Sequence, residues 1–230
     1  MRAYVINLKT RPDRWDSVLD QASALGIPII RIEAIQKNGL NELDVFVASG
    51  VAATWKSHQL AMEVFLESGD DYGLILEDDF LVTRKWTFKA IKDAEDLEAD
   101  FFQFGYLITS ALDWVDLFLK NFFDCMLKML NVICRYSQTL NGKFGQRLLV
   151  SEQAGIPWRV LPNNIRAGGQ AYLVSRKFAE ASKFMNTPAF TSADGMFMAL
   201  GDVRTFRMYR SRKSLIGQTE SKTSVEQRYL

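Results

Sequence analysis

The chain has 230 residues, 48% of them hydrophobic and 24% charged, with a formal net charge of +1. That length suits a single domain over 1–230, or one with a sizeable insertion, and the composition can bury an ordinary globular core. Near-neutral charge gives no global drive toward nucleic acid, and no window of about 18 residues is free of charge, which argues against a spanning helix.

Residues 2–8 have the composition of a first strand, reached directly from Met1 with no long apolar leader, so the expected location is cytoplasmic. Residues 9–14 follow as a loop. Pro12 or Asp13 then opens a helix that runs to Leu25 and is ended by Gly26. Arg11 and Arg14 flank the helix start, where arginine beside free backbone N–H groups suits a phosphate and equally suits a solvated first turn. Residues 27–35 read as a second strand. Residues 52–66 are helical by period, with Trp55, His58, Met62 and Leu66 on one face. His58 is the only histidine; on an apolar stripe it is either a hydrogen-bonded core residue or a site group.

Gly69-Asp70-Asp71 breaks that helix before the stretch around which the chain is organised. An apolar run from Gly73 to Leu76 is stopped by Glu77, Asp78 and Asp79, and apolar residues resume at Phe80. Such a run reads as a buried, parallel strand, and the carboxyl end of such a strand is where ligands bind. Three acids there repel one another and lose hydration, so a hard divalent cation carrying a phosphorylated ligand would compensate them. The plainer alternative is an acidic turn.

Residues 85–97 read as a helix and 100–105 as the next strand, which continues a βαβ alternation. Charges at 113, 116, 120, 124, 128 and 135 then punctuate an otherwise apolar segment, 112–135. This is a long amphipathic helix whose apolar arc meets the core, a second subunit or, peripherally, the inner membrane. Its three acids and three bases balance, so attraction to anionic lipid is not indicated. Cys125 and Cys134 lie on opposite sides of it, about 13 Å apart along the axis, too far for a disulfide. The insertion spans about 111–156, with 136–156 as a loop. A short strand at 158–161, a glycine turn and strand at 167–175 and a helix at 176–185 follow. Asp194 then stands either as the N-cap of a helix over 195–200 or as a separate catalytic base. Residues 203–209 alternate as a strand. The segment 203–230 holds seven Arg or Lys against Glu220 and Glu226, suited to a phosphate ligand or to a solvated tail.

Four segments in order resemble glycosyltransferase family 25, which includes lipooligosaccharide and collagen galactosyltransferases. They are Val5-Ile6-Asn7-Leu8 with Arg11 and Arg14, Ser57-His58 in a helix, Ile75 to Asp79, and Gly169 to Ser175. The resemblance covers roughly 3–110 and 165–218 and leaves 112–135 as a local insertion. It implies an α/β, GT-A-like fold: a Rossmann-type, mostly parallel sheet flanked by helices. It also implies a UDP-sugar donor, often UDP-galactose, and a glycan or lipid-linked glycan acceptor such as lipooligosaccharide. A divalent metal, Mn²⁺ or Mg²⁺, would be held by Glu77 and Asp79. Asn7, Arg11, Arg14, Ser57, His58, Asp78 and Gln218 would line the donor site, with Asp194 the base of an inverting transfer. Many GT-A enzymes add a C-terminal histidine to the metal, and this chain has no histidine after His58. A non-catalytic binding protein, docking through its apolar helix, is the rival reading. A two-metal phosphohydrolase or nucleotidyltransferase is weaker, because the chain offers no suitable second acidic cluster.

Overall fold

Strand-forming runs alternate with amphipathic helices along the chain, and a computed structural model shows how they assemble. It describes residues 1–37, 46–83, 86, 88–107, 118, 122, 126, 129, 157 and 160–219. The strands are β1 (Arg2–Asn7), β2 (Ile29–Glu33), β3 (Tyr72–Glu77), β4 (Phe80–Val82), β5 (Phe101–Gln103), β6 (Val160–Pro162), β7 (Ala171–Ser175), β8 (Met208–Ser211) and β9 (Ile216–Gln218). The helices are α1 (Pro12–Leu25), α2 (Ser49–Glu67), α3 (Phe88–Asp96), α4 (Arg176–Ser182) and α5 (Ala193–Val203).

Seven strands form one sheet in the order β2-β1-β3-β7-β5-β8-β6, and β4 pairs with β9 in a second, two-stranded sheet. The main sheet is mixed. β1 runs parallel to β2 and β3, and β5 to β8, whereas β7 is antiparallel to both β3 and β5, and β6 to β8. This architecture is compatible with a Rossmann-like α/β fold. Period-2 alternation divides the central strands between two cores. Tyr4, Ile6 and Ile75 face a cluster shared with α2, α4 and α5. Ala3, Val5, Leu74 and Leu76 face the other, shared with α1 and α3. Strands covered on both faces read as continuous apolar runs, which is why Gly73–Leu76 is legible as a strand.

Helix α1 starts with Pro12 in its first turn and ends at Gly26, whose φ of 69° is left-handed and whose N–H closes on Ala22 O. Among the boundaries that differ from the sequence expectation, two bear on the site. Ser192, not Asp194, caps α5, accepting from Gly195 N at 3.1 Å. The helix then continues through Val203 to a left-handed Arg204, so the strand expected over 203–209 begins only at Met208. The alternation there misled because Leu200 and Gly201 extend the helix's buried side, Gly201 lying close under Ile165.

Of the predicted helix at 112–135, the described residues are Phe118, Phe122, Met126 and Met129. All four are helical and exposed, with the Phe118 and Phe122 rings 6.4 Å apart. The rest of that segment, both cysteines, the predicted loop 136–156 and the tail beyond Thr219 lie outside the described residues. Among the described residues no helix is long and apolar enough to cross a membrane.

Replacing Phe118 and Phe122 together by Ser is expected to change the unfolding free energy by no more than about 0.5 kcal/mol, as for exposed sites generally. Phe101→Ala, which removes a fully buried ring stacked on Tyr172, should cost about 3–5 kcal/mol. Urea denaturation of the three proteins measures both values.

Candidate functional site

Strand β3 ends at Glu77, and Asp78 and Asp79 form the turn that follows. Extended alternation therefore stops at Glu77, and the three carboxylates point to different neighbours. Asp78 is tied on both oxygens: Oδ2 accepts from Asn7 Nδ2 at 2.7 Å and Oδ1 from Arg14 at 2.8 Å. Asn7, at the end of β1, also accepts from Arg31 through its Oδ1. Asp79 is 5% exposed. Its Oδ2 accepts from Gln218 at 2.7 Å and lies 3.9 Å from Arg14, while Oδ1 is buried with no hydrogen-bond partner. The β4–β9 pair explains Gln218: antiparallel register places it opposite Phe80, one residue beyond Asp79, and Thr219 N donates to Asp79 O.

Burial, then repulsion from Glu77, pushes the Asp79 carboxyl up to about 6; the Gln218 hydrogen bond opposes this, Asp78 adds to it, and Arg14 opposes it. A buried carboxylate oxygen with no donor is a favourable place for a cation. Among the described residues no three His, Cys, Asp or Glu side chains form a metal cage. A small hard cation does not need one, because it commonly takes one or two carboxylates and fills its remaining positions with phosphate oxygens and water. The residues present fit that mode, in which Asp79 would be the carboxylate to meet a cation first.

Glu77 faces a second group. Its Oε1 is 3.5 Å from His58 Nε2, and His58 Nδ1 is 2.8 Å from the hydroxyl of Tyr172. Tyr172 is fully buried, and burial, then Glu77 and Asp194, holds its phenol well above the ordinary value. His58 thus stands between the Tyr172 hydroxyl on one ring nitrogen and the Glu77 carboxylate on the other. Asp194, freed by the Ser192 cap, receives backbone N–H groups from Gly168 and Gly169. Burial first, then Glu77, raises its pKa. A Cβ on Gly169 would stand 3.1 Å from Asp194 Oδ1, 3.4 Å from Glu77 Oε1 and 3.6 Å from His58 Cε1. The glycine is where the two carboxylates and the histidine converge.

The structure thus brings together Asn7, Arg14, Asp78, Asp79 and Gln218 in one cluster, and His58, Glu77 and Asp194 in an adjoining one. Two expected donor-site residues are turned to local tasks. Arg11 pairs through two nitrogens with Asp13. Ser57 accepts from Ile35 N and donates to Ala53 O, joining the exit of β2 to α2. Sequence reasoning missed Tyr172 and two buried glutamines. Gln103 donates to Arg166 O and Gly168 O and accepts from Arg166 N. Gln170, with its amide oriented to satisfy both contacts, bridges Gly168 O and Tyr106 N. Their signal was polar residues at strand ends beside Gly168-Gly169, where buried polar groups need partners.

Gly169→Ala should leave the protein folded while disturbing the Glu77–Asp194 approach, and is expected to abolish any activity that uses both carboxylates. Circular dichroism and turnover together test it. For Asp79 the sign follows from its raised pKa: stability from this group is full below about pH 4 and is lost as pH rises through about 6. Asp79→Asn should therefore stabilise the metal-free protein at pH 7.5 by about 3 kcal/mol, with the gain vanishing near pH 4. Urea melts with chelator present at the two pH values measure it.

No family model and no curated protein matches the chain. The chemistry open to the site follows from its own residues.

Proposed function

We propose that the protein is a metal-dependent, inverting glycosyltransferase that transfers a hexose from a UDP-sugar to a glycan acceptor. The observation that carries this reading is the buried, unpartnered Oδ1 of Asp79 beside Arg14, with the raised carboxyl of Asp194 in the adjoining cluster. A cation-and-arginine site for a diphosphate next to a separate carboxylate is what inverting transfer requires. The four segments that resemble family 25 support the same reading and favour galactose as the sugar and lipooligosaccharide as the acceptor class. A mixed α/β sheet beside a small second sheet accords with the GT-A arrangement that the resemblance implies.

Asp79 would hold Mn²⁺ or Mg²⁺, with Glu77 within reach, and such a cation neutralises the charge that develops on the departing diphosphate. Arg14 adds a fixed positive charge on the same side. Asp194, with its raised pKa, accepts the proton of the acceptor hydroxyl. The acceptor oxygen bonds to the anomeric carbon as that carbon's bond to the diphosphate oxygen breaks, the bonding pair leaving with UDP. His58, held by Tyr172, orients Glu77, and Asp78 locks Asn7 and Arg14 in place.

A UDP-hexose panel is expected to stabilise the wild type thermally when Mn²⁺ is present, by about 2.7 kcal/mol at a hundred times the dissociation constant. Asp79→Asn should lose that stabilisation. Asp194→Asn should keep it and lower kcat by about 10²–10⁴. Transfer at the wild-type rate by a folded Asp194→Asn would remove this residue from the mechanism. The exposed row Phe118, Phe122, Met126 and Met129 favours the second reading, a binding protein that docks by its helix. Metal-independent partner binding, with neither hydrolysis nor transfer of any UDP-sugar, would be its result.

A further inference from the structure

Inverting transfer fixes where the hexose must lie. Its anomeric carbon stands between the departing diphosphate on one side and, on the other, the acceptor oxygen whose proton goes to the base. With Asp79 and Arg14 at the diphosphate end and Asp194 at the acceptor end, the sugar ring spans the space between them. Glu77 borders that space. It ends β3 two residues before Asp79, and its Oε1 and Asp194 Oδ1 both lie within 3.4 Å of the point that a Cβ on Gly169 would occupy. Its charge is felt at both ends: after burial, Glu77 is the next cause of the raised carboxyls of Asp79 and Asp194.

Glu77 is held more firmly than a solvated strand-end acid. Its backbone N donates to Gln170 O at 3.1 Å, which ties it to the glycine turn. Its Oε1 faces His58 Nε2 at 3.5 Å. The imidazole is 1% exposed and is fixed in turn by the Tyr172 hydroxyl, 2.8 Å from Nδ1, and by the edge-on ring of Phe197, from the helix that carries Asp194. The Glu77 side chain still keeps 32% of its surface open to solvent. A carboxylate braced by a buried histidine and open on its other side is a pre-oriented acceptor for hydroxyl groups. Gly169, with no Cβ, leaves them room to approach. The cation has its own place, at the unpartnered Oδ1 of Asp79.

On the glycosyltransferase reading, which this role presupposes, we infer that Glu77, positioned by His58 and Tyr172, accepts hydrogen bonds from hydroxyl groups of the transferred hexose and sets selectivity for that sugar instead of ligating the metal. The resemblance to family 25 assigns Glu77 to the metal, so its role in this chain differs from the implied one. A hydrogen bond to a charged acceptor is worth about 10–100-fold in affinity, enough to separate a hexose that presents the right hydroxyl from one that does not.

Calorimetric titration of UDP, UDP-galactose and UDP-glucose, with saturating Mn²⁺ and no acceptor, reads the sugar's contribution as the ratio of UDP-hexose to UDP affinity. Mn²⁺ alone is titrated separately. Glu77→Gln and Glu77→Ala should lower the ratio by about 10–100-fold for at least one hexose, with Mn²⁺ and UDP affinities within about two-fold of wild type. Tyr172→Phe, which keeps the ring stacked on Phe101 and removes the hydroxyl at His58, should lower the ratio less and in the same direction. Asp79→Asn is the contrast, losing Mn²⁺ and both UDP-hexoses together. Melting temperatures confirm that each variant is folded. A loss of Mn²⁺ affinity in Glu77→Gln as large as that in Asp79→Asn overturns the proposal and returns Glu77 to the metal. So does an unchanged ratio in the folded Glu77 variants. A wild type that binds Mn²⁺ but neither UDP nor a UDP-hexose sinks the glycosyltransferase reading itself and, with it, the sugar role.

Discussion

The arrangement at this end of the sheet depends on the cost of burying carboxylates where strand β3 stops. Asp79 loses nearly all its hydration, and one oxygen recovers only the Gln218 amide and a distant Arg14. Asp78 is satisfied by two donors from β1 and α1, and so acts as the joint that fixes Arg14. The second sheet belongs to the same solution, because β9 brings Gln218 and Thr219 over the acidic turn. Without that pairing Asp79 would stand in the core with no neutral donor at all, an expensive state for a carboxylate.

Reversal of β7 is the second constraint. In a purely parallel sheet the ligand edge receives only residues that follow strands. Here β7 runs against β3 and β5, so the residues that precede it, Arg166 to Gln170, arrive at the same edge as the ends of β1, β3, β5 and β8. Gly168, with φ of 111°, makes the turn that other residues rarely adopt. Gln103 and Gln170 tie it down by their side-chain amides. One short loop thus reaches the carboxylates at Gly169 and is held to β5 through Gln103.

Glu77 raises the cost of ionising both Asp79 and Asp194, each of which burial already penalises more strongly. Arg210 is penalised in the opposite sense: burial pulls its guanidinium down to about 10, while the Tyr106 ring and the carbonyls of Asn164 and Ser211 surround it. Both are charged groups held out of water, where each lost contact with solvent has to be replaced by a neighbour.

Much of this was legible in the residues themselves. The two-sided apolar run of β3, the Pro12–Gly26 limits of α1 and the carboxylate triplet at a strand end follow from local chemistry: side-chain period, fixed φ and like-charge repulsion. What local chemistry could not decide was which carboxylate faces which partner. The resemblance put Glu77 and Asp79 together as an outer pair; in the structure Gln218 and Arg14 lie against Asp79, and His58 against Glu77. Arg11, a phosphate candidate from its place at a helix start, pairs with Asp13, and Ser57, a candidate through the resemblance, binds the backbone at the exit of β2. Ser192 took the cap and released Asp194 to the glycine turn. Each of these outcomes depends on a contact between residues far apart in the chain or on competition among near neighbours for one donor. Sequence alone determined which groups are present and which strand they end; tertiary packing decided their partners, since hydrogen bonds and desolvation are set by what the fold brings within about 3 Å.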